Sequence, residues 1–147
     1  MKWIVFTLVA LLFLGLIAFA VMAMQSQKAP DKLGLNQGLL RACPESPNCV
    51  CSEAHSRHSE QHAISPIKIS EKGWAEMKKS ITEQGGVIEQ EDSDYLHATF
   101  TTPLFRFVDD VELRLDEASG LIHIRSASRV GRSDFGVNRK RVNQLKQ

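Results

Sequence analysis

Residues 3–24 (WIVFTLVALLFLGLIAFAVMAM) contain no charged side chain. As a helix rising about 1.5 Å per residue they reach about 33 Å, enough for a hydrocarbon core of about 30 Å. The pattern then turns polar. Residues 25–42 (QSQKAPDKLGLNQGLLRA) carry Pro30, Gly34 and Gly38, keep no sustained period, and read as a tether. Periodicity returns at Ser70, which can cap a helix through EKGWAEMKKSITEQ with Trp74, Met77 and Ile81 on one face and Gly85-Gly86 at its end. Three strand-like runs follow the short strand 87–91: residues 95–102 stopping at Pro103, residues 105–115, and residues 121–128. In the second run Phe105, Phe107, Val111, Leu113 and Leu115 take alternate positions. Ser133 or Asp134 can cap a last helix whose apolar stripe is Phe135, Asn138, Val142 and Leu145. Helix, antiparallel strands and helix in this order predict an α+β domain over residues 43–147, with helices on one face of an antiparallel sheet.

The N-terminal segment is expected to be an uncleaved transmembrane anchor, residues 1–24. A cleaved signal is the alternative, since Val21, Met22 and Ala23 offer small residues, but its apolar run exceeds the usual 7–15 residues. No cysteine lies near its end for lipid attachment. Lys2 competes with Lys28, Lys32 and Arg41 across the helix, so charge barely orients it. A single-pass membrane protein with an extracytoplasmic domain is the default expectation, exported if the segment is cleaved.

Charge pairing predicts a hairpin register. If Leu113 faces Ile122 and Val111 faces Ile124, then Asp110 meets Arg125 and Glu112 meets His123 on the opposite side. Asp109 then falls on the apolar side, opposite Ser126. It needs a hydrogen-bonded network there, built with Ser126, Ser128 and an arginine of the following loop.

The formal charge of +1 conceals an asymmetry. Residues 25–124 hold 10 Lys/Arg against 16 Asp/Glu, whereas residues 125–147 hold seven against Asp134 alone. The segment "RVGRSDFG" offers Arg129, Gly131, Arg132, Ser133, Asp134 and Gly136 at a helix N-terminus, with Arg139 one turn on. Glycines, a capping residue and arginines there suit an anion, or else a well-capped turn. Arg139, Lys140 and Arg141 are expected on the solvated side of the helix, and Asn138, inside the apolar stripe, is expected to be buried and hydrogen-bonded.

"CPESPNCVC" places Cys43, Cys49 and Cys51 around a proline turn. Outside the cytoplasm Cys43 pairs most simply with Cys49 or Cys51, leaving one thiol. His55, His58 and His62 follow, but C-x5-C-x-C-x3-H matches no metal-finger spacing, and no metal or other cofactor is assigned.

"CPESPNCVCS", then "FRFVDDVELRL", then "IRSASRVGRSDFGVNRKRV" resembles the domain-of-unknown-function family numbered 1499, from about Leu39 to Leu145. The three motifs in this order are specific. The resemblance implies a bacterial or plastid-type protein, often with a membrane or export segment. It implies no activity and no catalytic residue. Cys43, Cys49, Asp109, Asp110 and the run from Arg125 to Arg139 lie in the resembling stretches, whereas Cys51 and the histidine-rich insertion look less typical.

The resulting expectation is a membrane-anchored, non-enzymatic binding module for an anion: a small molecule, a lipid headgroup or an acidic protein. Nucleic acid is not expected as a partner, and the sequence leaves the oligomeric state open. The alternatives are an enzyme using Asp109 beside serines and arginines, or a cysteine-based metal or redox protein. No G-x-S-x-G elbow or recognised triad supports the enzyme.

Overall fold

The computed structural model describes residues 2–147. Helix α1 (Lys2–Ser26) is apolar and exposed except near its C-terminal end, where Ser26 is buried, and is long and apolar enough to cross a membrane. The remaining elements are β1 (Cys49–Cys51), β2 (Ile67–Lys68), α2 (Trp74–Glu83), β3 (Val87–Glu91), β4 (Tyr95–Thr101), β5 (Val108–Asp116), β6 (Leu121–Ser128) and α3 (Val137–Leu145). They make one antiparallel sheet in the order β1-β6-β5-β4-β3, with β2 also pairing with β6. The fold is therefore α+β, as the pattern predicts.

One sheet face forms the apolar core. Met77 and Ile81 of α2 and Val142 and Leu145 of α3 pack over Leu96, Ala98, Val111, Leu113, Ile122 and Ile124, all buried. Each such large aliphatic side chain contributes about 1.5–3 kcal/mol when removed from water. Helix α2 starts at Trp74 rather than beside Ser70. Its first turn is closed by Glu76, which accepts a hydrogen bond from the Gly73 N–H at 2.9 Å. It ends where Gly85 adopts φ +85°, and a Cβ on Gly86 would lie 2.7 Å from both Ile81 and Phe100.

The β5–β6 register differs from the charge-pairing expectation by two residues. Glu112, not Asp110, is opposite Arg125; Val111 faces Ser126, Leu113 faces Ile124, Arg114 faces His123, and Asp109 faces Ser128. A two-residue offset preserves which side chains share a face, so both registers bury the apolar set and both oppose an acid to Arg125. The turn decides between them. Asp116 pairs with Leu121, leaving residues 117–120 as the loop with Gly120 at φ +67°. Strand β5 also begins at Val108 rather than Phe105, because Arg106 adopts φ +58° and breaks the extended run.

The second sheet face is buried too. Tyr95, His97, Asp110, Glu112, Arg114 and His123 all lie on it and are almost wholly removed from water. Their cover comes from residues 34–56. Leu40 packs with Tyr95 and Cys51, the Gly34 N–H donates to Glu112, and the Leu40 N–H donates to Glu53. Gly34 and Leu40 of the segment read as a tether thus lie against the sheet.

The C-terminal end of α1 is fastened to the same domain. Ser26 Oγ accepts a hydrogen bond from the Val108 N–H at 2.7 Å, and Phe19 meets Phe105 and Phe107 edge-on, with ring centroids 4.7 and 5.0 Å apart.

Candidate functional site

The basic C-terminal run separates into several local roles. Asp134, two residues before the N-cap Gly136, turns its carboxylate onto the N-terminus of α3. It accepts hydrogen bonds from the Gly136 N–H at 3.1 Å and the Asn138 N–H at 2.7 Å. The chain's own carboxylate thus occupies the donors that an external anion would use there. Because α3 starts only at Val137, Phe135 does not join the apolar stripe. It is 96% exposed, at φ +53°. Ser133 accepts from the Phe135 N–H, Arg132 is exposed, and the Gly131 carbonyl accepts from Asn48.

Arg139 and Arg141 do not face solvent as the charge run suggests; of the three cationic residues only Lys140 is exposed. Arg139 donates to the carbonyls of Glu60, Gln61 and Ala63, holding the histidine-rich segment against α3. Arg141 donates to Asp109 at 2.6 Å and lies over the Phe100 ring, 4.7 Å from its centroid. The arginine that satisfies Asp109 therefore comes from the last helix and not from the loop after β6. Its companion is Asn138, fully buried, which donates to the Asn48 carbonyl and Ser128 Oγ and accepts from Ser126 Oγ and Arg141. The expected polar network exists, with α3 as its organiser.

On the opposite sheet face, the strands deliver alternating charges at positions i, i+2 and i+4: Asp110, Glu112 and Arg114 on β5, with His123 and Arg125 beside them on β6. Burial makes each of these charges need a partner. Glu53 supplies one by accepting two hydrogen bonds from Arg114, at 2.7 and 3.1 Å. Burial raises the Glu53 carboxyl's pKa. The hydrogen bonds from Arg114 and Leu40 and the nearby His123 outweigh this, and the net position is below the usual range. Glu112, fully buried, accepts from Tyr95 Oη, Arg125 Nη1 and the Gly34 N–H, each at 2.8 Å. Burial and the adjacent Glu112 carboxylate push the Tyr95 hydroxyl far up. Asp110, which the sequence assigns to Arg125, instead accepts from His97 at 2.8 Å and from Arg129 at 2.8 and 3.0 Å. Burial raises its pKa, and these two partners together bring it below the usual range. Arg129 also donates to the carbonyl of Ser26, the last residue of α1, and to that of Gln27 just after it.

Beside this layer opens a cleft of about 410 Å³, lined by Lys32, Arg41, Arg125 and Arg129 and also by Asp110 and Cys43. Asp110 and Glu112 each engage one of these guanidinium groups. Lys32 and Arg41 form no ion pair among the described residues. The Nε–H groups of Arg41 and Arg125 are buried with no hydrogen-bond partner, an uncommon state for so strong a donor. Of these groups the sequence reading identifies Arg125 and Arg129. It misses Lys32 and Arg41, which lie in the presumed tether, and Glu53, His97 and Arg114 in the layer beneath. The row of ionisable residues on one face of "VDDVELRLD" does not give them away, because a solvated strand face also carries charge at every second position.

The disulfide joins Cys43 to Cys49, and Cys51 remains a buried free thiol whose pKa burial raises. Among the described residues no three His, Cys, Asp or Glu side chains converge as a metal site.

No curated protein and no solved structure matches the chain. A family model described as "Protein of unknown function (DUF1499)" matches residues 39–147, the stretch that begins at the cover of the charged layer and runs through α3. The chain is a member of the DUF1499 family.

Proposed function

We propose that this chain is a membrane-anchored binding module that takes an anionic group, a phosphate or a carboxylate, in the cleft between Lys32, Arg41, Arg125 and Arg129. One observation carries this reading: two guanidinium Nε–H donors are buried beside that cleft with no acceptor, and two of its four cations have no ion-pair partner among the described residues. An oxyanion in the cleft would compensate the charge of these cations and accept hydrogen bonds from those of their N–H groups that reach it. The α3 N-terminus does not offer this, since Asp134 already accepts from its N–H groups and the carbonyls of residues 60, 61 and 63 engage Arg139, while Arg132 is exposed outside the cleft. The apolar helix α1 supports the anchor, and the Cys43–Cys49 disulfide supports an oxidising, extracytoplasmic location for the domain.

Isothermal titration of the full chain in nanodiscs with inorganic phosphate tests the reading. Saturable binding that weakens with salt is expected. It should fall at least tenfold in K32A/R41A and stay unchanged in R132A, whose side chain lies outside the cleft. Equal affinity in wild type and K32A/R41A sinks the proposal.

A further inference from the structure

The apolar surface of this protein does not end with α1. The loop at residues 102–107 exposes Leu104 and Phe105. Beside it, the loop at residues 130–137 exposes Phe135 and Val137. Between these loops and α1 lies a cleft of about 330 Å³ with a largely apolar lining that includes Phe19 and Met22 of the helix. Two features set Phe135 apart. It is almost entirely exposed, and it sits in the left-handed backbone region that aromatic residues avoid. In water that arrangement is unfavourable twice over, in exposed apolar area and in backbone conformation.

The depth of these loops follows from their contact with Phe19. Sixteen helical residues separate Trp3 from Phe19, about 24 Å at about 1.5 Å per residue. If Trp3 marks one edge of a hydrocarbon core about 30 Å thick, Phe19 lies about 6 Å inside the other edge. Counting back from Gln25, the first polar residue after the apolar run, puts Phe19 about 9 Å inside. Both counts agree with the depth of about 5–10 Å at which interfacial segments rest. Phe105 meets Phe19 edge-on, so a bilayer that holds α1 also receives the Phe105 loop. The exposed Arg106 and Arg132 flank the apolar tips, where lipid phosphates would meet them.

We infer that the loops at residues 102–107 and 130–137 form a second membrane-contacting surface, with Leu104, Phe105, Phe135 and Val137 in the acyl region of the same bilayer that α1 spans. The occupant of the apolar cleft is then a lipid acyl chain. This inference rests on α1 being a retained membrane helix, and the experiment tests the two separately.

Full-length chain is reconstituted into nanodiscs containing lipids brominated at the sixth and seventh acyl carbons, which quench indole emission on contact. Three single-tryptophan reporters share a W3F/W74F background: F135W, L104W and, at an exposed position on the far edge strand, V87W. A fourth protein, W74F, keeps only Trp3 and reports on α1. Emission of F135W and L104W is expected to fall at least twofold relative to unbrominated lipid, with V87W unchanged and Trp3 quenched. Quenched Trp3 with F135W and L104W both as bright as V87W overturns the inference and leaves the anchor standing. All four unquenched overturns both. Phe135 and Leu104 are exposed, and the shared W74F change, at a residue that packs against the core, is common to every reporter and cancels in the comparison with V87W.

Discussion

The charged layer under residues 34–56 can be tested through Glu53 and Arg114. Replacing Glu53 by Met removes both hydrogen bonds to Arg114 and leaves a guanidinium whose side chain is 10% exposed. Among the described residues the other carboxylate paired with it is Asp116, 3.7 Å away and more exposed. Breaking a buried pair from one side costs about 3–5 kcal/mol, and the partial help from Asp116 points to the lower end, about 3 kcal/mol. Arg114→Met leaves Glu53 with the Leu40 N–H and His123, and an expected loss of about 2–3 kcal/mol. In the double variant neither charge is stranded, and Met fills similar volume on both sides. What remains is chiefly the orphaned Leu40 N–H, about 1–2 kcal/mol. The coupling between the sites should therefore be about 3–5 kcal/mol. The assay is urea unfolding of the full chain in micelles, followed by Trp74 emission with Trp3 replaced by Phe throughout. Single variants that each lose under 1 kcal/mol, or losses that simply add, would refute the claim that this face is dry enough to make charge pairing obligatory.

Three further outcomes are expected. His123 titrates below its usual range, first because of burial, so the unfolded chain binds its proton more readily and stability should start to fall as pH drops below about 6.5. Glu53 and Asp110 are also depressed, so their contribution, present above about pH 4.5, should be lost as pH falls further; melting temperatures from about pH 8 to about pH 2 should show both phases, and H123N should lack the first. Thiol titration without reductant should find no reactive thiol in the native chain and one after denaturation, from Cys51, while C43S/C49S should lose about 2 kcal/mol for a ring closed across six residues of sequence. Asn138→Ala strands donors or acceptors on Asn48, Ser126, Ser128 and Arg141, and should lower stability by about 2–4 kcal/mol in urea titration; a loss below 0.5 kcal/mol would deny the network that role.

Elements whose residues alternate or recur with one clear partner were legible in the sequence. Met77 and Ile81 announce the core face of α2, and 121–128 announces β6 almost to the residue, because a single apolar face specifies each. The hairpin register was not legible, since Arg125 finds an acid opposite in either of two registers and only the loop around Gly120 separates them. Phe135 misleads for a related reason. It continues the helical spacing of Asn138 and Val142, yet Asp134 caps the helix two residues beyond it. The cleft was hidden most deeply. Lys32 and Arg41 meet Arg125 and Arg129 only because residues 34–56 fold over the sheet, and nothing periodic in that segment announces the contact. A strand face that would otherwise read as solvated was in truth a second interior.

The clamp at the end of α1 changes what kind of attachment this is. A free coil of residues 25–42 would let the domain roam about 23 Å from its root, a leash. Arg129 grips the carbonyls at the end of the helix and the Asp110 carboxylate together, and Ser26 bonds to Val108. That makes a bracket. On the proposed reading of α1 as a membrane anchor, a bracketed domain would not search the space above the bilayer but would keep one side toward the lipid surface. Movement of the helix, such as tilting in a thicker or thinner bilayer, would pass directly into Asp110 and the cleft it lines.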